Sequence, residues 1–541
     1  MVWLLNNVYD VEHQAYFMSE KKMELTPLKI RSHGASSVMH YDERYTPYIE
    51  MTGLLPFVQL VSRSTPNLNA AAVTSLIDRW RPETHSFHLR TGEMTVTLQD
   101  VSMITALPIE GKPLCMSTDS EGWRQQMEAL IGMSPQEPEV EDGGKKDRVP
   151  VGATFTWIAA NFAHCPEDAD DEVIQRYARV YMWYVISRTI FADGTGKNAP
   201  WMWLKALTVF DNKFSWGSAA LAYLYRQLDD ACRRTTKDGG VGGCMLLLLW
   251  DLVSEVASEV NLLYKQYTNE MDSLTPEQVE WEPYGVGPNF GDAHTFELNP
   301  LCVQERHLWL MRCPLICNWA VEFHLPHRVM RQFGYFQPHP PEWVDTDTQL
   351  HRLDRRRQRK IKDWQKHHKS YVVMFEQSVQ TTSSIQRTQY RQHCPLAFSN
   401  YLRWFQESTR VEICPPTYEE DILEEPTEYD ALAQGGYIKL IREGYQTSFA
   451  PVLNFVAADD MTLKAFQRSA YMLKPRKEFK RYSPDDYAKG KNPVAGGSRL
   501  SRMRSMDDEV EDDDDDESDD PEQFVVARRK KLVSKRGRGP K

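Results

Sequence analysis

Two arginines and two histidines near residue 80 are the residues of this sequence best suited to bind phosphate or transfer a proton. Arg79, Arg81, His85 and His88 fall within ten residues of one another. Arginine binds phosphate oxygens through paired N–H donors, and histidine exchanges a proton near neutral pH. One hypothesis is therefore an enzyme that acts on nucleic acid or another phosphoester, with a pocket near His85 and His88.

The competing interpretation of this region is structural. Arg81 and Glu83 would satisfy each other and neighbouring backbone at a tight junction between a helix and a strand, because buried polar groups need partners. Trp80 and Phe87 would be buried beside them. We favour this interpretation, and we assign no catalytic residue.

A second candidate group combines thiols and imidazoles: His307, Cys313, Cys317, His324 and His327. Such side chains can form a tetrahedral zinc site. Only six residues separate Cys-x3-Cys from His-x2-His, however, whereas a zinc finger needs about twelve. A proline and two aromatic residues among them favour packed core. Zinc binding stays open at this point, and we assign no metal ligand.

Two short motifs resemble parts of known phosphate chemistry but lack the rest. The turn at 194–197 (GTGK) is followed by Asn198 and has no strand before it, so it does not meet the spacing of a phosphate-binding loop. The GDAH sequence at 291–294 resembles the first metal motif of serine/threonine phosphatases, but the companion motifs are absent downstream. Neither motif predicts an enzyme.

An amphipathic helix leads into the region near residue 80. Its apolar side chains recur at helical spacing, and they are Val73, Leu76, Ile77 and Trp80. Pro82 ends the helix, because the residue before a proline is disfavoured in the helical conformation. A polar loop follows.

A strand and a second helix come next. From the Gly92 turn, apolar residues at 94, 96 and 98 alternate with threonines, which predicts a half-buried strand. Thr97 and Asp100 have the spacing of a capping box, so a helix begins there. That helix ends at Pro108.

The residues of this region closely resemble the signature of the plant mobile domain. That family occurs in plant transposable elements and in host proteins of the maintenance-of-meristems group. Ala106 is one departure, since relatives usually have Gly before Leu-Pro. Later blocks extend the resemblance over about 45–409. The residues that carry the signature are Arg79, Trp80, Arg81, Pro82, Glu83, Thr84, His85, Phe87 and His88.

The composition indicates a folded protein with a charged end. The chain has 541 residues and 41% hydrophobic content. We predict a mainly α-helical globular body with a few short β-strands over 45–470, after a poorly ordered lead-in at 1–44. Within it we predict an exposed loop at 116–150 and a basic helix at 352–369. The nine scattered cysteines predict reduced thiols.

The C-terminal residues 471–541 are predicted to be a disordered tail that is first acidic and then basic. Residues 507–522 contain 13 acidic side chains, and 528–541 contain 8 basic ones. The basic end resembles a nuclear import signal, and it also has the composition of an arginine hook for the DNA minor groove. The residues concerned are Arg528, Arg529, Lys530, Lys531, Lys535, Arg536 and Arg538.

These observations predict a nuclear protein that works by binding other molecules. The longest apolar run, 244–250, is too short to cross a bilayer, so we expect no membrane partner. The resemblance implies roles in transposon silencing, genome maintenance or meristem maintenance, through nuclear protein or chromatin partners, and it allows a transposon origin. We expect no cofactor, because neither a Schiff-base lysine nor a phosphate cup is evident. The phosphoester enzyme remains the alternative.

Overall fold

A computed structural model describes most of the chain up to residue 413. The described residues are 4–21, 23, 27–30, 38–63, 68–136, 151–193, 196–234, 239–248, 260–279, 281–284, 299–340, 350, 361–384 and 390–413. The predicted tail at 471–541, the GDAH motif at 291–294 and the first nine residues of the predicted basic helix lie outside them.

Helices dominate this part of the chain, as the sequence predicts. They are α1 (Asn7–Asp10), α2 (Gln14–Lys21), α3 (Thr46–Thr52), α4 (Leu55–Arg63), α5 (Ala70–Ile77), α6 (Leu98–Thr105), α7 (Trp123–Ile131), α8 (Phe155–Phe162), α9 (Asp171–Arg188), α10 (Trp201–Ala206), α11 (Trp216–Ala231), α12 (Val260–Asp272), α13 (Pro300–Val303), α14 (Trp364–His367), α15 (Lys369–Ser384) and α16 (Pro395–Ser408). None of the described helices has the length and apolar character needed to cross a membrane.

The strands are short and antiparallel. They are β1 (Trp80–Arg81), β2 (Ser86–Leu89), β3 (Gly92–Met94), β4 (Gly152–Thr154), β5 (Asn198–Pro200), β6 (Cys313–Cys317) and β7 (Ala320–His324). They form one three-stranded sheet, β1-β2-β3, and two pairs, β4-β5 and β6-β7. The longest of these pairings, β6-β7, joins Cys313 to His324 at its open end.

The middle of α11 lies deep in the core. Every residue from Trp216 to Arg226 is buried, so this helix has no solvent face over three turns. It contacts α6 on one side and β6 and β7 on another. α11 thereby joins the region around residue 80 to the β6-β7 hairpin.

The region from α5 to α6 follows the predicted order of helix, strand and helix, with differences at the strands. α5 ends at Ile77 as a helix, and Trp80 starts a strand instead of closing the helix. The predicted strand over 94–98 shares only Met94 with β3, and the predicted polar loop contains β2. β2 is buried at every residue, although its sequence, Ser-Phe-His-Leu, alternates polar and apolar residues. The predicted capping box is confirmed, since Thr97 and Asp100 each bond the backbone of the other.

Two segments that the sequence predicts to lack regular structure contain helices in their described parts. The lead-in contains α1 and α2, and Leu4, Tyr9 and Met18 from it are buried in the core. The sequence does not predict these helices, because the apolar residues of the lead-in pack against distant elements and form no continuous stripe. The predicted loop at 116–150 contains α7, which buries Trp123, Met127 and Ile131.

The predicted basic helix is interrupted in its described part. α14 covers four residues, and α15 begins separately at Lys369 after a break at His368. Asp363 caps α14 and also follows Lys362, whose amine pairs with Asp119. In the described region, the positive charge of Lys362 is therefore paired with an acidic neighbour.

Candidate functional site

All nine signature residues are buried. Apart from Pro82, each retains at most 2% of its accessible area, and the most exposed are His85 and Phe87. The signature therefore forms the interior of the protein, where each polar group must find a partner. The candidate site is the network of charged side chains that provides those partners.

The end of α5 carries two buried ion pairs to later elements. Asp78 receives two N–H donors from Arg234, at 2.5 and 3.2 Å, and the hydroxyl of Tyr264. Arg79 donates to the Asp272 carboxylate at 2.5 Å and to the carbonyl of Thr268 at 2.8 Å. These bonds fix α12 against α5.

Arg81 and Glu83 obtain partners from the lead-in. The Arg81 guanidinium donates to Asp10 at 3.2 Å, and the Asn6 backbone N–H donates to Glu83 at 3.0 Å. Burial lowers the pKa of Arg81 and raises the pKa of Glu83, while their opposite charges act against both shifts. The predicted structural role is therefore supported by geometry, and Asp10 and Asn6 of the lead-in add partners that the sequence does not indicate.

Glu93, at the end of the same sheet, forms a bidentate pair with Arg328. The Nε–Oε2 and Nη2–Oε1 distances are 2.6 and 2.7 Å, and both side chains are at most 1% exposed. Ser86 also donates to this carboxylate at 2.9 Å. The pair ties the sheet to the turn after β7. No sequence pattern marked it, because the partners lie 235 residues apart.

His85 joins the sheet to β7 and α11. Its Nδ1 lies 3.0 Å from the Phe323 carbonyl, and its Nε2 lies 2.9 Å from Glu322 Oε2. Its ring stacks on Tyr225 at a centroid distance of 5.1 Å. Glu322 also accepts from Arg226 Nε at 2.5 Å.

His88 has separate surroundings. Its Nε2 lies 3.0 Å from the Thr84 hydroxyl, and its Nδ1 lies 2.6 Å from the Thr409 hydroxyl. Burial, and then the positive charge of Arg81, hold the pKa of His88 well below its usual value, so the ring is neutral. His85 and His88 are thus bonded to different parts of the core and do not share a pocket.

The five residues considered for zinc do not converge. Cys313 and Cys317 stand at opposite ends of β6, roughly 13 Å apart at the rise of a strand. His324 lies opposite Cys313, and its ring nitrogens contact the Met311 carbonyl and the Leu98 N–H. His307 is exposed on a separate turn. The core interpretation of this group therefore agrees with the geometry.

Among the described residues, one other set of three side chains has the composition of a metal site. His85, Asp229 and Glu322 place one ligating atom each within 4.8 Å of the others, and all three are buried. Asp229 comes from α11 and accepts from the Trp80 indole at 2.7 Å. The sequence did not reveal this set because its members come from three separate segments.

Comparison with known families identifies the domain that contains this network. A model of the plant mobile domain matches residues 56–252 and 242–406, which is more than half of the chain. The chain belongs to the plant mobile domain family. The match includes every signature residue and confirms the resemblance proposed from the sequence. The lead-in that supplies Asp10 and Asn6 lies outside the matched residues.

Relatives of this plant mobile domain protein are found in Arabidopsis thaliana. Protein MAINTENANCE OF MERISTEMS is 32% identical over 304 residues, covering 51% of this chain and 59% of that protein. Protein MAIN-LIKE 1 is 31% identical over 312 residues, covering 53% and 58%. Serine/threonine-protein phosphatase 7 long form homolog is 30% identical over 387 residues, covering 64% and 27%.

The chain thus spans less than two thirds of the length of each of these relatives. No solved structure matches it.

Proposed function

We propose that this plant mobile domain protein is a nuclear, non-catalytic protein that acts by binding protein or chromatin partners. It would act in genome maintenance, transposon silencing or meristem maintenance. One observation carries the proposal: the signature residues that could do chemistry are buried and occupied by ion pairs within the fold. A residue that contacts a substrate needs access to it, whereas a residue that holds a scaffold does not.

The names of the relatives support a maintenance role. Two of the similar Arabidopsis proteins are called MAINTENANCE OF MERISTEMS and MAIN-LIKE 1. A third is named as a phosphatase homolog, but this chain covers 27% of it. The GDAH sequence at 291–294 resembles a phosphatase motif but lacks its companions in the sequence. We therefore prefer a binding role to phosphoester hydrolysis, which stays the alternative.

The charged end of the sequence supports a nuclear location. Residues 528–541 contain 8 basic side chains, which suit recognition by an import receptor or contact with the phosphates of DNA. The preceding acidic run at 507–522 suits basic partners such as histones. An origin of this chain in a transposon is compatible with the same charged segments.

Nucleosome binding tests the proposal directly. The full chain and a chain ending at residue 474 would be titrated with purified nucleosomes at several salt concentrations. We expect at least roughly tenfold weaker binding after truncation, with a smaller dependence on salt, because basic contacts release counterions. Equal binding by both chains, or no binding by the full chain, would contradict a chromatin role for the tail.

Nuclear import is tested with the full chain fused to a fluorescent protein in plant cells. Replacing Arg528, Arg529, Lys530 and Lys531 by Gln should shift the fusion out of the nucleus. A matched control replaces Arg499, Arg502 and Arg504, which are also basic but lie outside the cluster. Retention of the first variant in the nucleus would refute the import assignment.

A further inference from the structure

The helix α16 and a segment that runs beside it form a surface that the proposed function does not use. Residues 334–336 lie antiparallel to 391–393, where the Phe336 N–H donates to the Arg391 carbonyl at 2.8 Å. The same segment continues to His339, whose ring lies on α16. We call this region the α16 surface, and its members are Tyr335, His339, Tyr390, Arg391, Arg403 and Trp404.

Four members of the α16 surface are aromatic side chains in two pairs. The His339 and Trp404 rings are stacked, with centroids 4.8 Å apart and planes 15° from parallel. The Tyr335 and Tyr390 centroids lie 5.1 Å apart. Trp404 also contacts the buried Tyr401, with centroids 5.9 Å apart, so the core holds its ring in place.

These rings are partly in solvent. Tyr390 is 44% exposed, and the other exposed large hydrophobic side chains of the described part are aliphatic or methionine. His339 is exposed, and Trp404 is half-buried. A ring that the fold already orients can stack on a nucleotide base with little further loss of side-chain freedom.

Each pair of rings has an arginine next to it in the sequence. Arg391 follows Tyr390, and Arg403 precedes Trp404; both arginines are exposed. Within the part of the chain that the structure describes, neither guanidinium forms an ion pair. Glu407, one turn beyond Arg403 on α16, is not paired with it. Unpaired guanidinium groups beside accessible rings favour a partner that is both anionic and aromatic.

A single-stranded nucleic acid has both of these properties. Its phosphates bind arginine, and its bases can stack on protein rings, whereas a duplex presents only base edges in its grooves. A proline-rich peptide also binds aromatic surfaces, but it offers no negative charge to the arginines. The Cα atoms of Tyr335 and His339 are at most about 14 Å apart along the chain, so one short strand can reach both pairs.

We propose that the α16 surface binds single-stranded nucleic acid. Bases would stack on Tyr390 and on the His339–Trp404 pair, while Arg391 and Arg403 contact phosphates. Such contacts do not read base edges or the sugar, so DNA and RNA should bind comparably and with little sequence preference. This inference concerns the folded body and does not depend on the basic tail or on a nuclear location.

Fluorescence anisotropy with the full chain tests the stacking contact. The probes are a labelled oligothymidine of about 12 nucleotides and an oligouridine of the same length. Tyr390→Ala should weaken binding at least about fivefold, because base stacking is lost. Tyr390→Phe is the matched control and should bind like the wild-type chain, because the ring remains.

The salt dependence of the same binding tests the phosphate contacts. Replacing Arg391 and Arg403 together by Gln should reduce the slope of log affinity against log salt by about 1.4, which corresponds to two phosphates on a single strand. Arg306→Gln is the control, since Arg306 is also exposed but lies on a separate turn. This measurement decides the question if Tyr390→Ala does not fold.

The tail must be separated from the body, so each variant is also measured with residues 528–531 replaced by Gln. Binding of either oligonucleotide that Tyr390→Ala weakens and Tyr390→Phe preserves, in both tail backgrounds, supports the surface. Three results would overturn it: no binding of either probe, binding that disappears with the tail residues alone, or equal affinities for the wild-type chain and a folded Tyr390→Ala variant. Equal dependence on Tyr390 for duplex DNA, or binding of a proline-rich peptide instead of the oligonucleotides, would also overturn it.

Discussion

Ala106 shows how one residue at the end of a helix limits stability. It follows α6 with φ at 50°, in the left-handed conformation, and its N–H bonds the Ser102 carbonyl at 3.0 Å. A Cβ atom makes this conformation costly, whereas glycine adopts it freely. The sequence marked this position as a departure from the family pattern, and the structure gives the physical reason.

Ala106→Gly should therefore stabilise the protein by about 0.5–1 kcal/mol. Unfolding in urea, followed by tryptophan fluorescence, measures the change. The matched control is Ala129→Gly in the exposed middle of α7, where the same substitution should cost about 1 kcal/mol. Destabilisation at both positions would show that the αL strain at Ala106 is negligible.

Glu93 shows how much a buried charge depends on its partner. Glu93→Gln removes the charge opposite Arg328, which is 1% exposed, so an uncompensated guanidinium remains in the core. The expected loss is about 3–5 kcal/mol of unfolding free energy. Equilibrium unfolding in denaturant measures it.

The exposed pair Arg90–Glu412 provides the control for this prediction. Its side chains are 49% and 59% exposed, so solvent screens their attraction. Glu412→Gln should cost less than about 1 kcal/mol. Similar losses for Glu93→Gln and Glu412→Gln would mean that burial does not increase the contribution of the Glu93–Arg328 pair to the unfolding free energy.

At the scale of elements, α6 and α11 touch where only a glycine fits. A Cβ on Gly217 would lie 2.8 Å from Ile109 Cγ2, 2.9 Å from Val101 Cγ1 and 3.0 Å from the Leu107 carbonyl oxygen. Such distances are too short for carbon contacts in a packed interior. The two helices therefore approach closely because residue 217 lacks a side chain.

Gly217→Ala should push α11 from α6 and lower the unfolding free energy by about 1–3 kcal/mol. Thermal unfolding of the single variant checks the loss, and adding Val101→Ala should recover part of it. Gly239→Ala is the control, because its nearest neighbour is a flexible Leu28 methyl at 3.3 Å. A melting temperature unchanged by Gly217→Ala would refute the close packing.

At the scale of the whole molecule, buried neutral histidines make the fold sensitive to acid. Burial holds the pKa of His13 and of His88 well below the usual value, and lowers the pKa of His368 to about 4. Because the unfolded chain binds protons more readily, this contribution to stability is complete above about pH 6.5. It is lost as the pH falls from there to about 4.

The expected result is a lower urea midpoint at pH 5 than at pH 7.5. In His368→Gln, the slope of unfolding free energy against pH between 5 and 6.5 should fall by about 1 kcal/mol per pH unit, because His368 binds roughly 0.5–0.9 more protons in the unfolded chain over that range. His367→Gln is the control, since His367 is exposed. Equal slopes for the wild-type chain and both variants would contradict the burial argument for His368.

Local sequence determined the helices, and the start of α6, wherever the signal was short-range. The Thr97–Asp100 capping box and the apolar spacing of α5 depend on residues within one or two turns, so both could be predicted. The order of residues also sufficed to identify the family. β2 escaped prediction because it has only four residues, and Thr409, a partner of the buried His88, lies 321 positions away.

Only the tertiary structure decided which partners the signature residues have. Arg79 pairs with a residue 193 positions later, and His85 reaches Glu322 across 237 positions. Residue types alone allow either a catalytic pocket or a buried scaffold, because Arg, Glu and His serve both. Burial distinguishes the two, and burial depends on how α1, α11, α12 and β7 close around the sheet. A charge in a closed core requires its partner for stability, and that requirement becomes visible only when the distant segments meet.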